Sequence, residues 1–425
     1  MKILYLCSDA GVPVLGRKGS SVHVRSLIAA LSRAGHQVIL AAPVLNKSPW
    51  ETPAAVAATL LQVKPTPEVQ TALQSLKEFT QLLGLNNGLP GELRRILYNK
   101  DFTSELKRRF AADPPDFIYE RCSLFGAAGA ILSAEWHVPL LLEINAPLAL
   151  EQAEYREGEL SALAGVAERW ILAQADSVLA VSGPLRDYIL SLGVAPDKVH
   201  IVPNGIDPAL FQPGSPDPEA RLRLGLGAGP VLGFVGGLRP WHGVEVLPEL
   251  LGRLVSRHAN VKLVLAGEGP LRGPLEETLR QRGLLEHVVF TGALLHEEVP
   301  AIVRQFDIAL APYPKLDHLF YFSPLKIFEY MACGVAVVAA NCGQIAEVIR
   351  DGETGLLHPA GDLEAMTTAC DQLLSRPKQR VSLGRAAARF IQQEYTWRHN
   401  AERVVDLARK LILAKTPAHP TRAQP

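Results

Sequence analysis

The sequence has few cysteines and shows none of the spacings that cysteine chemistry requires. Only five of its 425 residues are cysteine, and none of them forms a C-x-x-C pair. The pattern therefore supports neither a disulfide framework nor a zinc site. Scattered free thiols are typical of a protein in a reducing compartment.

Long apolar runs are absent as well. No stretch approaches the roughly 18 apolar residues that indicate a membrane-spanning helix. The apolar residues 2–6 are followed at once by Ser8 and Asp9, which is too short for a secretory signal peptide. We therefore expect a cytoplasmic protein.

The chain also lacks an excess of charge of either sign, since 43 Lys and Arg balance 43 Asp and Glu. This balance argues against a nucleic-acid partner. Residues 93–110 are an exception, with six basic residues against two acidic ones. Two interpretations stay open: a basic amphipathic helix that contacts the inner face of a membrane peripherally, or a solvated helix face.

No Asp-x-Asp pair occurs anywhere in the chain. Such a pair is a common way to hold the Mg²⁺ or Mn²⁺ of a metal-bound nucleotide diphosphate. We therefore expect chemistry that needs neither a metal nor another cofactor.

Apolar strand-like runs alternate with amphipathic helical stretches along most of the chain, which indicates parallel sheets covered by helices. The pattern restarts after a Pro/Gly/Asp-rich linker at residues 204–218. We predict an α/β protein with two Rossmann-like domains whose parallel sheets face a central cleft: residues 1–203, joined by 396–425 crossing back, and residues 204–395. The predicted strands are 3–6, 37–41, 117–119, 140–144, 177–181, 200–202, 231–235, 261–266, 288–291, 308–312 and 336–340, and the clearest helices are 21–34, 244–257 and 324–332.

Residues 322–357 carry the strongest functional pattern. Ser323 and Pro324 are good residues for a helix start, where Ser caps and Pro fits the first turn before Leu325. The free amides of such a helix start bind phosphate, and Lys326 adds a positive charge. Glu329 lies further along the helix, where its carboxylate can accept hydrogen bonds from ribose hydroxyls. The alternative is an ordinary capped helix with a surface glutamate.

The run P-L-K-x-F-E-Y-M-A-x-G, followed by an apolar strand, E-V-I and D-G-x-T-G-L-L, resembles the donor-site signature of family 4 glycosyltransferases. The resemblance implies a GT-B fold and retaining transfer of a hexosyl unit from a nucleotide-diphosphate sugar, a UDP- or GDP-sugar being favoured, to an acceptor hydroxyl. A glycan, a lipid or a small molecule is open as acceptor. The first domain is then the acceptor side and the second binds the donor.

Other short motifs are similar to the same family in the same order. Gly19 lies in the N-terminal glycine loop, where the lack of a Cβ lets the backbone approach a ligand. The Gly236-Gly237-Leu238 and Gly267-Glu268-Gly269 loops are similar to the strand-end loops of the donor domain. The resemblance thus implies donor-binding roles for Gly19, Gly237 and Glu268.

In the second domain, the chain departs from the family pattern at three positions. Tyr321 stands where the family has the first of two glutamates, which is associated with the sugar. Gly237 and His242 replace an Arg and a Lys that flank the diphosphate. Neutralisation of the phosphates is then left to Arg239, to Lys326 or to a protonated His242, which would make donor affinity pH-sensitive.

In the first domain, Asn145 occupies the position where many relatives carry a histidine near the transferring sugar. Its amide can hydrogen-bond a sugar hydroxyl but cannot act as a base. Two interpretations stay open for Glu143 and Glu151. Either one of them makes polar contacts on the acceptor side, or both are ordinary loop carboxylates. His23 is on the acceptor side too, and we interpret it as supporting the loop rather than as a base.

The expected mechanism uses Asn145, Lys326 and Arg239, with helix-end amides stabilising the departing diphosphate. The resemblance implies front-face attack by the acceptor hydroxyl, because no nucleophile is evident. Two other functions stay open: an isomerase of the sugar-nucleotide epimerase type, and a protein that binds a nucleotide sugar without turnover.

Overall fold

The computed structural model describes residues 1–47, 54–85, 88–154 and 158–415. They form two compact units, one of Met1–Pro203 with the segment from Arg398, the other of Asn204–Trp397. The predicted boundaries were 203/204 and 395/396. Residues 416–425, which the prediction assigned to the first domain, lie outside the described part of the chain.

The first unit contains one parallel sheet, in the strand order β3-β2-β1-β4-β5-β6-β7. Most residues of its central strands are buried, as expected for a parallel sheet with helices on both faces. The order reverses between β1 and β4, so their carboxyl ends flank a switch point, the usual ligand position in such folds. The strands are β1 (Lys2–Leu6), β2 (Gln37–Ala42), β3 (Thr59–Gln62), β4 (Phe117–Arg121), β5 (Leu140–Ile144), β6 (Ser177–Ala180) and β7 (Val199–Ile201).

The helices of the first unit bury regularly spaced apolar residues. In the long basic helix, Tyr98, Phe102, Leu106 and Phe110 recur every four residues, and all four are buried. The helices are α1 (Gly19–Arg33), α2 (Pro67–Leu82), α3 (Leu89–Phe110), α4 (Ala128–Trp136), α5 (Leu148–Glu154), α6 (Ser161–Gln174) and α7 (Gly183–Ser191), with a 3-10 helix at Pro196–Lys198.

The second unit repeats the arrangement with a parallel sheet in the order β10-β9-β8-β11-β12-β13. Its switch point lies between β8 and β11. The strands are β8 (Val231–Val235), β9 (Lys262–Ala266), β10 (Val288–Gly292), β11 (Ile308–Ala311), β12 (Ala336–Asn341) and β13 (Leu356–Pro359). The helices are α8 (Pro218–Arg223), α9 (Leu247–Val255), α10 (Arg272–Gln281), α11 (Val299–Val303), α12 (Leu325–Ala332), α13 (Gly343–Val348), α14 (Leu363–Ser375) and α15 (Pro377–Glu394), with 3-10 helices at Pro240–His242, Val244–Val246 and Leu285–His287.

The last described helix, α16 (Trp397–Lys415), brings the chain back to the first unit. Near its end, Lys415 Nζ lies 2.8 Å from Asp176 Oδ2. Just before this helix, the Tyr395 carbonyl accepts a hydrogen bond from Ile206 N at 2.9 Å, and Trp397 N donates to the Ile206 carbonyl at 3.0 Å. The two segments that carry the chain between the units are therefore paired with each other.

Eleven strands lie where the sequence predicts them, within two residues at either end. The edge strands β3 and β13 were not predicted, because their patterns differ from a buried run: β3 is mostly exposed, and β13 ends at Pro359. The predicted helix at 244–257 starts as a 3-10 turn and becomes α-helical only at Leu247. Among the described residues, no helix is both long enough and apolar enough to cross a bilayer.

Candidate functional site

Two glycine loops meet beside the switch point of the second sheet, after β8 and its neighbour β9. Gly236 follows β8 with a φ of 139°, and Gly267 follows β9 with a φ of 144°, a conformation that favours glycine. A Cβ at Gly267 would lie 2.0 Å from the carbonyl oxygen of Gly236. Gly237, predicted to bind the donor, thus lies in a loop whose backbone packs directly on the backbone of the Gly267 loop.

Lys326, near the start of α12, is the chemically most informative side chain here. It is only 8% exposed, and its Nζ lies 4.0 Å from the ring centroid of Phe234 and 5.6 Å from that of Tyr313. Within the described part of the chain, no group accepts a hydrogen bond from this amine. Burial lowers the pKa of Lys326 to about 7, although Glu329 opposes the shift. An anionic ligand that accepts from Nζ would offset the desolvation of this amine.

Glu329, one helical turn after Lys326, is also buried. Its Oε1 lies 2.9 Å from Nε2 of His296, in the loop between β10 and α11. The His296 ring also packs on Phe211, with centroids 5.1 Å apart. Sequence reasoning missed His296, because no spacing links a loop histidine to a helix 33 residues away. Its place shortly after the Thr291-Gly292 strand end was the one available signal.

The start of α12 differs from the prediction in one detail. The helix begins at Leu325 with Pro324 as its N-cap, and no side chain caps it. Ser323 was expected to be the cap; instead its Oγ accepts a hydrogen bond from the backbone N of Asn204 at 3.0 Å, and its carbonyl accepts from the Asn204 side chain. The capping prediction is wrong, because Ser323 binds Asn204, at the start of the second unit, and not the amides of α12. The helix start therefore keeps amides available to a ligand.

The loop after β8 contains the two residues predicted to replace the family's cations. His242 Nδ1 donates to the Gly237 carbonyl at 2.6 Å. Burial, with the charges of Lys326 and Arg239, lowers the pKa of His242 to about 3. This shift favours the neutral imidazole near pH 7, with Nε2 as an acceptor, over the protonated His242 considered from the sequence; the donor-binding role of His242 stays a prediction. Arg239 is exposed, and its guanidinium lies 5.1 Å from the ring centroid of Trp241.

Tyr321, at the position of the missing glutamate, belongs to an aromatic cluster. It is 5% exposed, and its ring centroid lies 4.4 Å from that of Phe322. Phe320 packs on Phe322 at 5.3 Å and on Tyr313 at 4.9 Å. The replacement therefore places packing aromatic groups where a carboxylate would otherwise be.

Glu268, predicted to bind the donor, lies in the loop after β9. Its carboxylate is about half exposed and lies 3.7 Å from Arg272. The loop packs on the neighbouring one through Leu238, whose N donates to the Glu268 carbonyl at 3.0 Å. The structure thus places Glu268 beside the Gly237 loop, and its donor role stays a prediction.

The first unit holds a buried polar network centred on Glu143, the fourth residue of β5. Oε2 of Glu143 accepts from His23 Nε2 at 2.8 Å and from the Tyr119 hydroxyl. Oε1 accepts from Arg121 at 2.8 Å and from the Asn145 side-chain amide. Burial alone would raise the pKa of Glu143, but His23, Arg121 and Tyr119 together hold it well below its usual range. The structure thus brings together three of the residues predicted for this unit, His23, Glu143 and Asn145.

Gly19 is the first residue of α1, and His23, which donates to Glu143, is the fifth. The N-cap, Lys18, makes no side-chain cap bond, and Gly19 itself is exposed. The loop before it is held by Ser21, whose Oγ donates to the Pro13 carbonyl at 2.7 Å. Gly19 therefore lies at an accessible helix start, which is where a ligand can approach the backbone; its donor role stays a prediction.

Two family sequence models match the chain. One, described as "Glycosyl transferase 4-like domain", covers residues 18–205, and the other, "Glycosyl transferases group 1", covers residues 229–376. The alpha-maltose-1-phosphate synthase of Mycolicibacterium smegmatis is 32% identical over 301 residues, which are 67% of this chain and 76% of that protein. The chain belongs to the family 4 glycosyltransferases.

Solved structures of other proteins share the fold. Sucrose-phosphate synthase from Thermosynechococcus elongatus superposes with a TM-score of 0.72 at 19% identity, over 97% of this chain and 99% of that one. HepE from Anabaena, in complex with UDP-glucose, gives a TM-score of 0.68 at 18% identity, over 96% of this chain and 100% of that one. The predicted fold class, GT-B with two Rossmann-like domains, is confirmed.

The protein is therefore an enzyme, a glycosyltransferase. The comparisons support a nucleotide sugar as its donor class. Family membership favours transfer over both alternatives that the sequence left open, the epimerase and the non-catalytic binding protein. Within the family, this member has neutral or apolar side chains, Gly237, His242 and Tyr321, at three positions where charge was expected.

Proposed function

We propose that the second unit binds a UDP- or GDP-hexose, and that the enzyme transfers the hexosyl unit to an acceptor hydroxyl with retention and without a metal. The single observation that carries this proposal is Lys326. Its amine is buried beside the Gly236-Gly237 loop at the switch point and has no hydrogen-bond partner within the described residues. The UDP-glucose complex of HepE supports the UDP alternative.

Each end of the bound nucleotide diphosphate has a partner in this proposal. The diphosphate contacts Lys326 Nζ and the uncapped start of α12, where the helix dipole also favours an anion. The ribose hydroxyls donate to Glu329, whose carboxylate His296 holds in place. Lys326 and Glu329 are one turn apart on one helix, so one rigid element sets the spacing between phosphate and ribose.

The chemical step follows from where negative charge develops. As the glycosidic bond to the phosphate breaks, charge accumulates on the leaving diphosphate. Lys326, the amides of α12 and the exposed Arg239 stabilise it, a form of electrostatic preorganisation. The acceptor hydroxyl attacks from the face that the diphosphate leaves, and its proton passes to the leaving phosphate. Retention follows from this front-face attack.

We expect sugar transfer to proceed unchanged in excess EDTA. The reason is that Lys326, Arg239 and the helix start supply the countercharge that a divalent cation supplies elsewhere. The sequence has no Asp-x-Asp pair, and within the described ranges no three His, Cys, Asp or Glu side chains gather as metal ligands. The assay follows a radiolabelled UDP- or GDP-hexose into a panel of glycan, lipid and small-molecule acceptors, with the anomeric configuration of the product read by NMR. Activity that is lost in EDTA and regained with Mg²⁺ would rule out the metal-free mechanism. A product with inverted anomeric configuration would rule out the retaining mechanism.

We also propose that the first unit contacts an anionic membrane surface peripherally. In this proposal residues 93–110 supply basic contacts, and the apolar contact that the sequence assigned to the same helix comes from elsewhere. Most of the apolar face of α3 is buried in the unit, so this helix presents mainly basic side chains, including Arg94, with Leu97 as an exposed apolar residue. The apolar contact is supplied by the end of α2, where Phe79, Leu82 and Leu83 are 57%, 83% and 55% exposed. Arg94 and Lys77 line one shallow groove between these helices, so basic and apolar groups lie together.

Replacing Leu82 and Leu83 with glutamate is expected to weaken binding to vesicles containing anionic lipid by about tenfold or more, because two apolar anchors become anions near an anionic surface. The matched control is Leu222→Glu, a leucine of the second unit that is equally exposed at 83%. Co-sedimentation with neutral and anionic vesicles measures the effect. Equal binding by the double variant and the control would contradict this membrane contact.

A further inference from the structure

The outer face of α15 carries a row of basic residues. Lys378, Arg385 and Arg389 are exposed, and together with Ser382 they are spaced by four, three and four residues. This spacing places all four on one side of the helix, over a length of about 16 Å at about 1.5 Å per residue. The row lies in a shallow groove with a volume of about 530 Å³, lined by Pro377, Lys378, Val381, Ser382, Arg385 and Arg389.

No acidic residue balances this row. Among the residues that the structure describes, no carboxylate lies within ion-pair distance of Lys378, Arg385 or Arg389, and none lines the groove. Several exposed arginines of the same unit do pair with carboxylates, as Arg253 does with Glu249 at 2.9 Å. Arg385 and Arg389 are one turn apart, where like charges destabilise a helix. An anion bound along the row would remove this repulsion.

The backbone beneath the row is held in place by packing. At Gly384 a Cβ would lie 2.0 Å from the carbonyl oxygen of Gly334, so α15 and the turn after α12 touch backbone to backbone. The row therefore projects from a rigid element, and a ligand does not have to order the helix in order to bind. The buried side of α15 consists of Leu383, Gly384, Ala387, Ala388 and Ile391.

The donors in the groove suit phosphate groups. A guanidinium group binds a phosphate through two parallel hydrogen bonds, and an ammonium group and a hydroxyl add further donors. The cations are spread along the helix, so a chain of phosphates contacts more of them than a single phosphate does. A bilayer is a poorer partner, because the apolar lining consists only of Pro377 and Val381.

We propose that this groove binds a small compound that carries two or more phosphate groups, such as a linear polyphosphate. Arg385 and Arg389 hold neighbouring phosphates, Ser382 donates its hydroxyl to one of them, and Lys378 contacts the far end of the chain. The groove is distinct from the site proposed for the donor, since Lys326 belongs to another helix. The two proposals are therefore independent of each other.

Isothermal titration with inorganic tripolyphosphate tests the groove. The double variant Arg385→Gln, Arg389→Gln is expected to bind at least about tenfold more weakly than the wild type, because two charged donors are lost. The matched control is Arg223→Gln, Arg280→Gln, which removes the same charge from side chains of the same unit that are 68% and 55% exposed. This control should bind as the wild type does. Ser382→Ala keeps the net charge and should weaken binding by about threefold.

Lys326→Met is titrated in parallel, because tripolyphosphate can also occupy the proposed donor site. Tripolyphosphate binding that persists in Lys326→Met and is lost without Arg385 and Arg389 supports the groove. Equal losses in both arginine double variants, with none in Ser382→Ala, would mean attraction by net charge alone and would overturn the proposal. It would also be overturned if Arg385 and Arg389 mattered only for co-sedimentation with phosphatidylglycerol vesicles. Unchanged nucleotide binding by Lys326→Met would reject the donor site and leave the result for the groove as it stands.

Discussion

Replacing Lys326 with methionine is expected to weaken binding of the nucleotide diphosphate by about 100-fold or more, on the scale of a buried charge-assisted hydrogen bond. Methionine has a similar length and keeps the contact with Phe234, but it removes the cation from the diphosphate. Isothermal titration with UDP and GDP, and with their sugars, measures the effect. Lys262→Met is the matched control, because Lys262 is at the amino end of β9, away from the switch point.

The same variant is expected to be more stable than the wild type when no ligand is bound. In the folded protein the pKa of Lys326 is about 7, below its ordinary value of 10.5, because burial disfavours the charge. Between these two values the unfolded chain binds more protons, so the stability of the wild type rises with pH in this window. The advantage of methionine is therefore larger at about pH 6 than at about pH 9 in denaturant titrations.

Donor affinity should follow the protonation of the same amine. Below pH 7 the amine of Lys326 is already charged, so donor affinity does not change with pH. Above it, binding must include proton uptake, so affinity falls by up to about tenfold per pH unit, a dependence that Lys326→Met lacks. A methionine variant that binds as tightly as the wild type, or that shows the same pH dependence, would contradict the role given to Lys326.

Replacing Glu329 with alanine is expected to weaken nucleotide binding by about 1.5–3 kcal/mol, roughly 10- to 150-fold, because the ribose hydroxyls lose a charged acceptor. Glu329→Gln should lose less, since one carbonyl oxygen remains. Titration of folded variants with UDP or GDP gives the affinities.

The ribose contact has its own control in the ligand. The 2′-deoxynucleotide lacks a hydroxyl that donates to Glu329, so the cost of Glu329→Ala should shrink when it replaces the ribonucleotide. His296→Ala removes the partner at 2.9 Å and should weaken binding less than Glu329→Ala, since the carboxylate remains. Unchanged affinity of a folded Glu329→Ala variant would contradict the ribose assignment.

Most of the fold could be predicted because parallel strands between helices are continuous apolar runs. The strand Val231–Val235 is such a run, and it lies where it was predicted. The edge strand Thr59–Gln62 could not be found this way, because only one of its four residues is even partly buried. Its pairing with β2 is set by backbone hydrogen bonds that no side-chain pattern reports.

The candidate site divides in a similar way. Lys326 and Glu329 could be predicted because one helix and one motif contain both. The partners that set their chemistry come from distant segments: His296 for Glu329, and Phe234 and Tyr313 for Lys326. The charge of His242 was not predictable either, because its pKa depends on burial, which the sequence does not state. Similarly, the sequence pointed to Glu143 and Asn145, but not to the hydrogen bond between them.

A thermal-shift panel tests whether Lys326 and Glu329 hold a nucleotide-diphosphate sugar. Wild type and Lys326→Met are compared with UDP, GDP, ADP and dTDP sugars, without metal. A ligand that binds only the folded state raises the melting temperature. We expect a rise for the wild type with the UDP or the GDP sugars, and none for Lys326→Met. No rise for the wild type at millimolar ligand, or an equal rise in both proteins, would contradict this binding role.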